Sequence, residues 1–167
     1  YEIFEAENGN IGLNKAYEIV PDIIISDILL PGKDGMQITE TLKNDIRTSH
    51  IPIIILTAKG SIEQQIEGLK LKADAYIVKP FNVKYLEETI KNLTRNREIL
   101  KDHYSSELPN ESLKGNASKK IDRKFVSEFS AIVESNIANE NFGVDDICRE
   151  IGISRVQLYR KVKAVLG

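Results

Sequence analysis

Short apolar runs alternate with longer amphipathic stretches over the first two thirds of the chain. Ile23-Ile24-Ile25 and Ile53-Ile54-Ile55-Leu56 are unbroken, largely β-branched runs, and Ala75-Tyr76-Ile77-Val78 is a third. Runs of this kind read as strands covered on both faces, the usual state in a parallel sheet. Tyr1-Glu2-Ile3-Phe4-Glu5-Ala6 adds a further strand-type segment that ends at the turn signal Asn8-Gly9. Between the runs the apolar positions fall at helical spacing. Leu13, Ala16, Tyr17 and Val20 predict a helix stopped by Pro21, and Met36, Ile38, Leu42 and Ile46 predict a second. Ile62, Ile66, Leu69 and Leu71 predict a third, opened by Ser61 with Gln64 three residues on, and Val83, Leu86, Ile90, Leu93 and Leu100 predict a long one from Asn82 to His103. Strand and helix in strict alternation predict a parallel sheet with helices on both faces, joined by right-handed crossovers.

The residues at the ends of the three buried runs carry the candidate chemistry. They are Asp27, Thr57 and Lys79. Strands of one parallel sheet point the same way, so a carboxylate, a hydroxyl and an ammonium are expected at one edge, where open α/β sheets hold their ligands. These groups suit a phosphoryl acceptor. The carboxylate would be the nucleophile, the ammonium would neutralise non-bridging oxygens, and the hydroxyl would hydrogen-bond the transferred group. The competing reading is a plain Asp27–Lys79 ion pair with Thr57 as a strand-end cap.

Composition narrows the class without naming it. The chain has 167 residues, a net charge of −2 and one cysteine. It allows one domain or two small ones, forms no internal disulfide, and fits a reducing compartment. No apolar stretch approaches the ~20 residues of a membrane span, and no signal peptide is visible. His50 and His103 stand apart from any residue at catalytic or ligand spacing, and Cys148, between Ile147 and Ile151, reads as a small core residue. Gly9-Asn10-Ile11-Gly12 lacks the spacing of a dinucleotide loop.

From residue 105 to 120 the pattern lapses into Ser, Asn, Gly, Pro and Lys, which predicts a linker between domains 1–104 and 121–167. Beyond it, Phe125, Phe129, Ile132, Val133 and Ile137 line one face of a helix over 122–138. Val144, Ile147, Cys148 and Ile151 make a short helix, with Asp145 and Asp146 in its first turn. Gly152-Ile153-Ser154 is a turn with Ser154 as N-cap, and Leu158, Tyr159, Val162 and Val165 mark the helix that follows. Short helix, glycine turn, serine-capped helix is the helix-turn-helix pattern. From residue 155 onward the charges are Arg155, Arg160, Lys161 and Lys163 with no acid, which fits a helix that meets DNA and equally a solvated helix with cations near its C-terminus.

Two family resemblances rest on these residues. "PDIIISDILLPGKDG", "IPIIILTA" and "ADAYIVKPF", in that order over residues 1 to about 104, resemble a response-regulator receiver domain. The resemblance implies a flavodoxin-like α/β fold, Asp27 as the aspartate phosphorylated by a histidine kinase, Thr57 as the switch hydroxyl and Lys79 as the phosphate-binding lysine. It also implies a cis Lys79–Pro80 peptide and Tyr76 as the switch aromatic, though the residues alone allow Tyr76 to be a half-buried edge-strand tyrosine. Mg²⁺ is the implied cofactor, with Asp27 and the backbone carbonyl of Leu29 as part of its ligand set. The family's remaining acidic pair ends a first strand that would lie before Tyr1, so the chain is expected to be a fragment, with its first strand and helix missing. "FGVDDICREIGISRVQLYRKVKAVLG" resembles the first helix-turn-helix of an AraC-type DNA-binding domain, whose second unit would follow Gly167. By that resemblance Ser154, Arg155, Gln157, Arg160 and Lys161 face DNA, Lys161 at a phosphate.

Receiver, linker and AraC-type unit in this order resemble the C-terminal end of hybrid two-component regulators. The expectation is a cytoplasmic transcription regulator, or the cytoplasmic end of a membrane-anchored sensor. Phosphorylation of Asp27 would drive homodimerisation through the face at residues 61–104, and the parent chain could hold a histidine kinase domain. Two other classes compete: a receiver-like interaction module that takes no phosphate, and a phosphatase using Asp27, which lacks a second aspartate two residues on.

Overall fold

Residues 2–58, 73–106 and 117–166 are described by the structure, a computed structural model. Three strands, β1 (Ile24–Asp27), β2 (Ile53–Ala58) and β3 (Ala75–Lys79), form one parallel sheet in the order β1-β2-β3. Helix α1 (Gly9–Ile19) precedes β1, α2 (Gly35–Asn44) joins β1 to β2, and α3 (Val83–Ser106) follows β3. The helix expected over 61–71, with its Ser61 cap, lies outside the described residues, as do residues 107–116 of the expected linker.

Register sorts the strand side chains into two faces, because register partners in a parallel ladder share a face and neighbours along a strand alternate. Ile24 with Ile53, and Ile55 with Tyr76, lie on one face. There they pack with Leu13 and Ala16 of α1 and Ile38 and Leu42 of α2. Each such buried aliphatic side chain contributes roughly 1.5–3 kcal/mol. Asp27, Leu56, Ile77 and, two residues on, Lys79 lie on the opposite face. Ile54 and Ile77 are buried there while Ile25 remains exposed.

Residues 2–6 do not form the expected strand. Ile3 and Phe4 stand in solvent, with no ladder partner among the described residues. A strand needs a neighbour to satisfy its backbone, and the free edge of β1 has none beside it here.

Helix ends are set by local chemistry. Asp34 and Gln37 form a reciprocal capping box that opens α2. Helix α1 ends with Val20 in the left-handed region at φ 48°, a conformation that costs a β-branched residue about 1–3 kcal/mol. At the start of β2, Lys43 pairs with Asp74 at 2.7 Å and donates to the Ile51 carbonyl at 2.7 Å, which ties α2 to both β2 and β3.

The C-terminal third is three helices: α4 (Ala117–Asn136), α5 (Val144–Ile151) and α6 (Arg155–Val165). Helix α4 begins inside the segment read as linker, so residues 117–120 are helical. Gly152 takes φ 76° to end α5, and Ser154 opens α6 in a capping box with Gln157. Phe125, Ile153 and Leu158 form their core, with Ile147, Cys148 and Val162 against it, and Ile46 from the loop after α2 joins the same cluster.

Candidate functional site

Asp27 is the last residue of β1 and Lys79 the last of β3, so both stand at the carboxyl edge of the sheet on the same face. The Lys79 ammonium donates to Asp27 Oδ2, and the Leu29 N–H donates to Oδ1 at 3.1 Å. Both side chains are partly open to solvent, 30% for Asp27 and 40% for Lys79. The Lys79 hydrogen bond holds the Asp27 carboxyl below its ordinary range; partial burial opposes it, and the Leu29 amide adds to it. The carboxylate is therefore ionised at neutral pH and reachable from outside. The Lys79–Pro80 peptide is cis, as the resemblance implies.

Thr57 sits one residue beyond the β2 partner of Asp27, at the tip of the central strand. It is buried, and its hydroxyl donates to the Ala58 carbonyl at 2.9 Å. Its register places it on the face of Tyr76, two residues after Tyr76's partner Ile55. Asp27 and Lys79 are thus in direct contact, while Thr57 and Tyr76 share the other face below the same edge. Burial pushes the half-buried Tyr76 hydroxyl's pKa up.

Gly35 has a part in this edge that the sequence reading passed over as loop punctuation. Its N–H donates to the Ile28 carbonyl at 3.0 Å, and a Cβ placed there would lie 2.2 Å from the Asp27 carbonyl oxygen. Only glycine lets the first turn of α2 approach the strand end that carries the carboxylate.

Mg²⁺ binds generally at the phosphorylation site of receiver domains. This ion asks for near-octahedral oxygen ligation. Of the expected ligands Asp27 and the Leu29 carbonyl, Asp27 Oδ2 already receives Lys79 and Leu29 turns its N–H to Oδ1, and among the described residues no cluster of three or more His, Cys, Asp or Glu stands ready for a metal. The described residues do not by themselves make the site.

The five residues expected to face DNA divide. Ser154 and Arg155 are exposed, and Arg155 is paired with Asp145. Gln157, Arg160 and Lys161 turn toward the α/β half of the chain. Gln157 Nε2 donates to the Tyr17 carbonyl at 3.0 Å, and Arg160 Nη1 to the Val20 carbonyl at 2.7 Å. Lys161 is fully buried, bonded to Ser49 Oγ at 2.7 Å and ion-paired with Asp122. Lys161, expected at a DNA phosphate, is turned inward in this arrangement. A cation on a short amphipathic helix reads as solvent-facing, but Asp122 and Ser49 receive it from distant parts of the chain.

A parallel sheet with a solvent-reachable carboxylate and a lysine at its carboxyl edge defines the receiver class of α/β domain. Comparison with known proteins places the chain more closely. The family model for the response regulator receiver domain matches residues 1–91, and the chain belongs to that family, the receivers of two-component signalling. Over 167 residues it is 42% identical to "Histidine kinase P4" of Formosa agariphila, covering 98% of this chain and 12% of that protein. Over 95 residues it is 42% identical to the phosphate regulon transcriptional regulatory protein PhoB of Pseudomonas aeruginosa, covering 57% of this chain and 42% of the relative. The chain thus spans less than half the length of either. A receiver domain protein (CheY-like) from Methanospirillum hungatei superposes with a TM-score of 0.55 at 30% identity, over 59% of this chain and 78% of that one. No helix among the described residues is long and apolar enough to cross a membrane.

Proposed function

We propose that this chain is part of a phosphorylation-dependent transcription regulator in which Asp27 is the phosphoacceptor and residues 121–167 begin an AraC-type helix-turn-helix. The observation that carries the reading is the ionised, solvent-reachable Asp27 carboxylate held by Lys79 at the carboxyl edge of the sheet. The donor is a phosphohistidine on a histidine kinase. A carboxylate oxygen attacks phosphorus and the nitrogen–phosphorus bond breaks with its electron pair going to nitrogen; the ring, already protonated on its other nitrogen, leaves as neutral imidazole. Asp27 gives up its own charge to become an acyl phosphate, and the group it gains brings about −1.5 to −2. Lys79 passes from the carboxylate to the phosphoryl oxygens. The Thr57 hydroxyl leaves the Ala58 carbonyl for the same oxygens, and Tyr76, on the same face as Thr57, repacks behind it. The face at residues 61–104, part of it outside the described residues, then pairs two copies and sets two DNA readers side by side.

The likeness to PhoB, named as a transcriptional regulator, supports the regulatory output, and the alignment over nearly the whole chain with a histidine kinase supports a hybrid parent protein in the cytoplasm. A phosphoryl-transfer assay with a radiolabelled histidine kinase domain tests the site. Wild type is expected to take label and Asp27→Asn to take none; equal labelling removes Asp27 from the role. One observation favours a second reading, an interaction module that takes no phosphate: Asp27 Oδ2 is engaged by Lys79 and the Thr57 hydroxyl by the Ala58 carbonyl. Absence of label on wild type, with Mg²⁺ in excess, selects it.

A further inference from the structure

The contacts between α6 and the α/β half have a consequence for the DNA reading. Gln157, Arg160 and Lys161 fall at the i, i+3, i+4 spacing of one helix face. All three end on one patch at the foot of the sheet, formed by the C-terminus of α1 and the loop at residues 45–51. This patch is built for a basic helix. Helix α1 has no basic residue in its own last turn, so its carbonyl-rich end lacks a cation, and Arg160 supplies one at Val20. The Tyr17 and Val20 carbonyls are presented in place. The left-handed turn of Val20 sets one, and the Arg47 guanidinium, stacked 4.1 Å from the Tyr17 ring centre and bonded to Asp45, braces the other. Ser49, held by its N–H to the Asp45 carbonyl at 2.8 Å, shares the Lys161 ammonium with Asp122. Ile46 closes the apolar side against the Phe125 cluster.

We infer that the foot of the receiver is a docking surface for the DNA-reading face of α6, so that receiver and DNA compete for Gln157, Arg160 and Lys161. The inference rests on the helix-turn-helix reading of the proposed function. Docked, the five DNA-facing residues are reduced to Ser154 and an Arg155 already engaged by Asp145 on the exposed side. DNA binding then requires undocking, and by linkage whatever loosens the dock strengthens DNA binding for as long as the docked state predominates.

Two receiver-side variants outside the phosphoacceptor and DNA-facing sets test this in the full chain: Ile46→Glu, which places a charge in the apolar contact, and Ser49→Lys, which places a second cation beside Lys161. The probe is a fluorescent mixed-sequence DNA duplex at low salt, together with amide hydrogen exchange over residues 16–20 and 45–51. Both variants are expected to exchange faster at those segments, with β1–β3 unchanged, and to bind the duplex at least tenfold tighter than wild type. Saturating duplex is expected to speed exchange at 45–51 in wild type. Equal affinity of wild type and variants, or duplex binding that leaves 45–51 protected, overturns the competition. Faster exchange in the variants with no duplex binding by any form removes the DNA reading of α6 and the competition with it.

Discussion

Two lysine–aspartate pairs sit at opposite ends of this molecule and do opposite things. At the carboxyl edge of the sheet, Lys79 and Asp27 are both partly exposed, 40% and 30%. At the foot, the Lys161 side chain is 0% exposed and its partner Asp122 22%. Water reaches the upper pair, weakens its attraction and leaves the carboxylate accessible to a reactant. At the foot water is kept from the ammonium, which also bonds Ser49 Oγ and lies 5.6 Å from the Phe125 ring centre. That lower pair is a tie between segments, and its value depends on keeping both halves. The difference between an accessible pair and a sequestered one lies in solvent access, not in residue type.

Breaking the lower tie from one side should have the largest effect. Asp122→Ala removes the carboxylate paired with a buried ammonium and should cost about 3–5 kcal/mol of folding stability, read by urea denaturation. Replacing both partners together, Asp122→Leu with Lys161→Met, should recover most of that loss, because no uncompensated charge remains. Should the single variant lose under 1 kcal/mol, the lower pair would belong with the upper one as a surface contact.

Next in size is Gly35→Ala. A methyl group 2.2 Å from the Asp27 carbonyl oxygen must displace either the strand end or α2. Overpacking of this kind costs roughly 1–3 kcal/mol. Phosphoryl uptake at Asp27 should fall with it, whereas a mutation confined to the foot should leave uptake unchanged.

Lys79→Ala should cost little stability, on the order of 0–1 kcal/mol for an exposed pair. Its clearer signature is in pH. Asp27 has a folded-state pKa below its ordinary value of 3.8, so the stability it contributes is present above that value and lost as pH falls through the lowered one. Removing Lys79 should raise the Asp27 pKa, seen by NMR titration of its carboxyl carbon, and flatten the acid limb of the stability curve.

Smallest of all is Asp145→Ala. Both Asp145 and Arg155 lie in open solvent, so the thermal midpoint should not move measurably. A change there would mean that the exposed pair helps to hold α5 against α6.

What could be read from the chain follows the same division. The three β-branched runs announced β1, β2 and β3, because burial on both faces leaves an unbroken apolar signature in a few adjacent residues. The meeting of Asp27 and Lys79 was legible because parallel strands bring their carboxyl ends together whatever lies between. The orientation of Thr57 was not, since the choice between the Ala58 carbonyl and the open edge is a rotamer within one strand tip. Nor was the strand-like pattern at residues 2–6 sufficient: propensity proposes a strand, but a hydrogen-bonding neighbour decides it. Least legible was Lys161. Its helix gives the charge pattern of a solvent-facing or DNA-facing surface, and the two groups that bury it, Asp122 and Ser49, lie 39 and 112 residues away along the chain. Gly35 left only a faint trace as part of Asp34-Gly35, a dipeptide that turn chemistry alone would explain.

Helix α2 is a strut fixed at both ends. Its first residue rests directly on the Asp27 backbone, without a side chain to absorb play, and its last turn is bolted by Lys43 to the start of β2 and to Asp74. Ten residues of helix span about 15 Å. The strand tip and the loop that carries Ile46, Arg47 and Ser49 are thus the two anchorages of one rod.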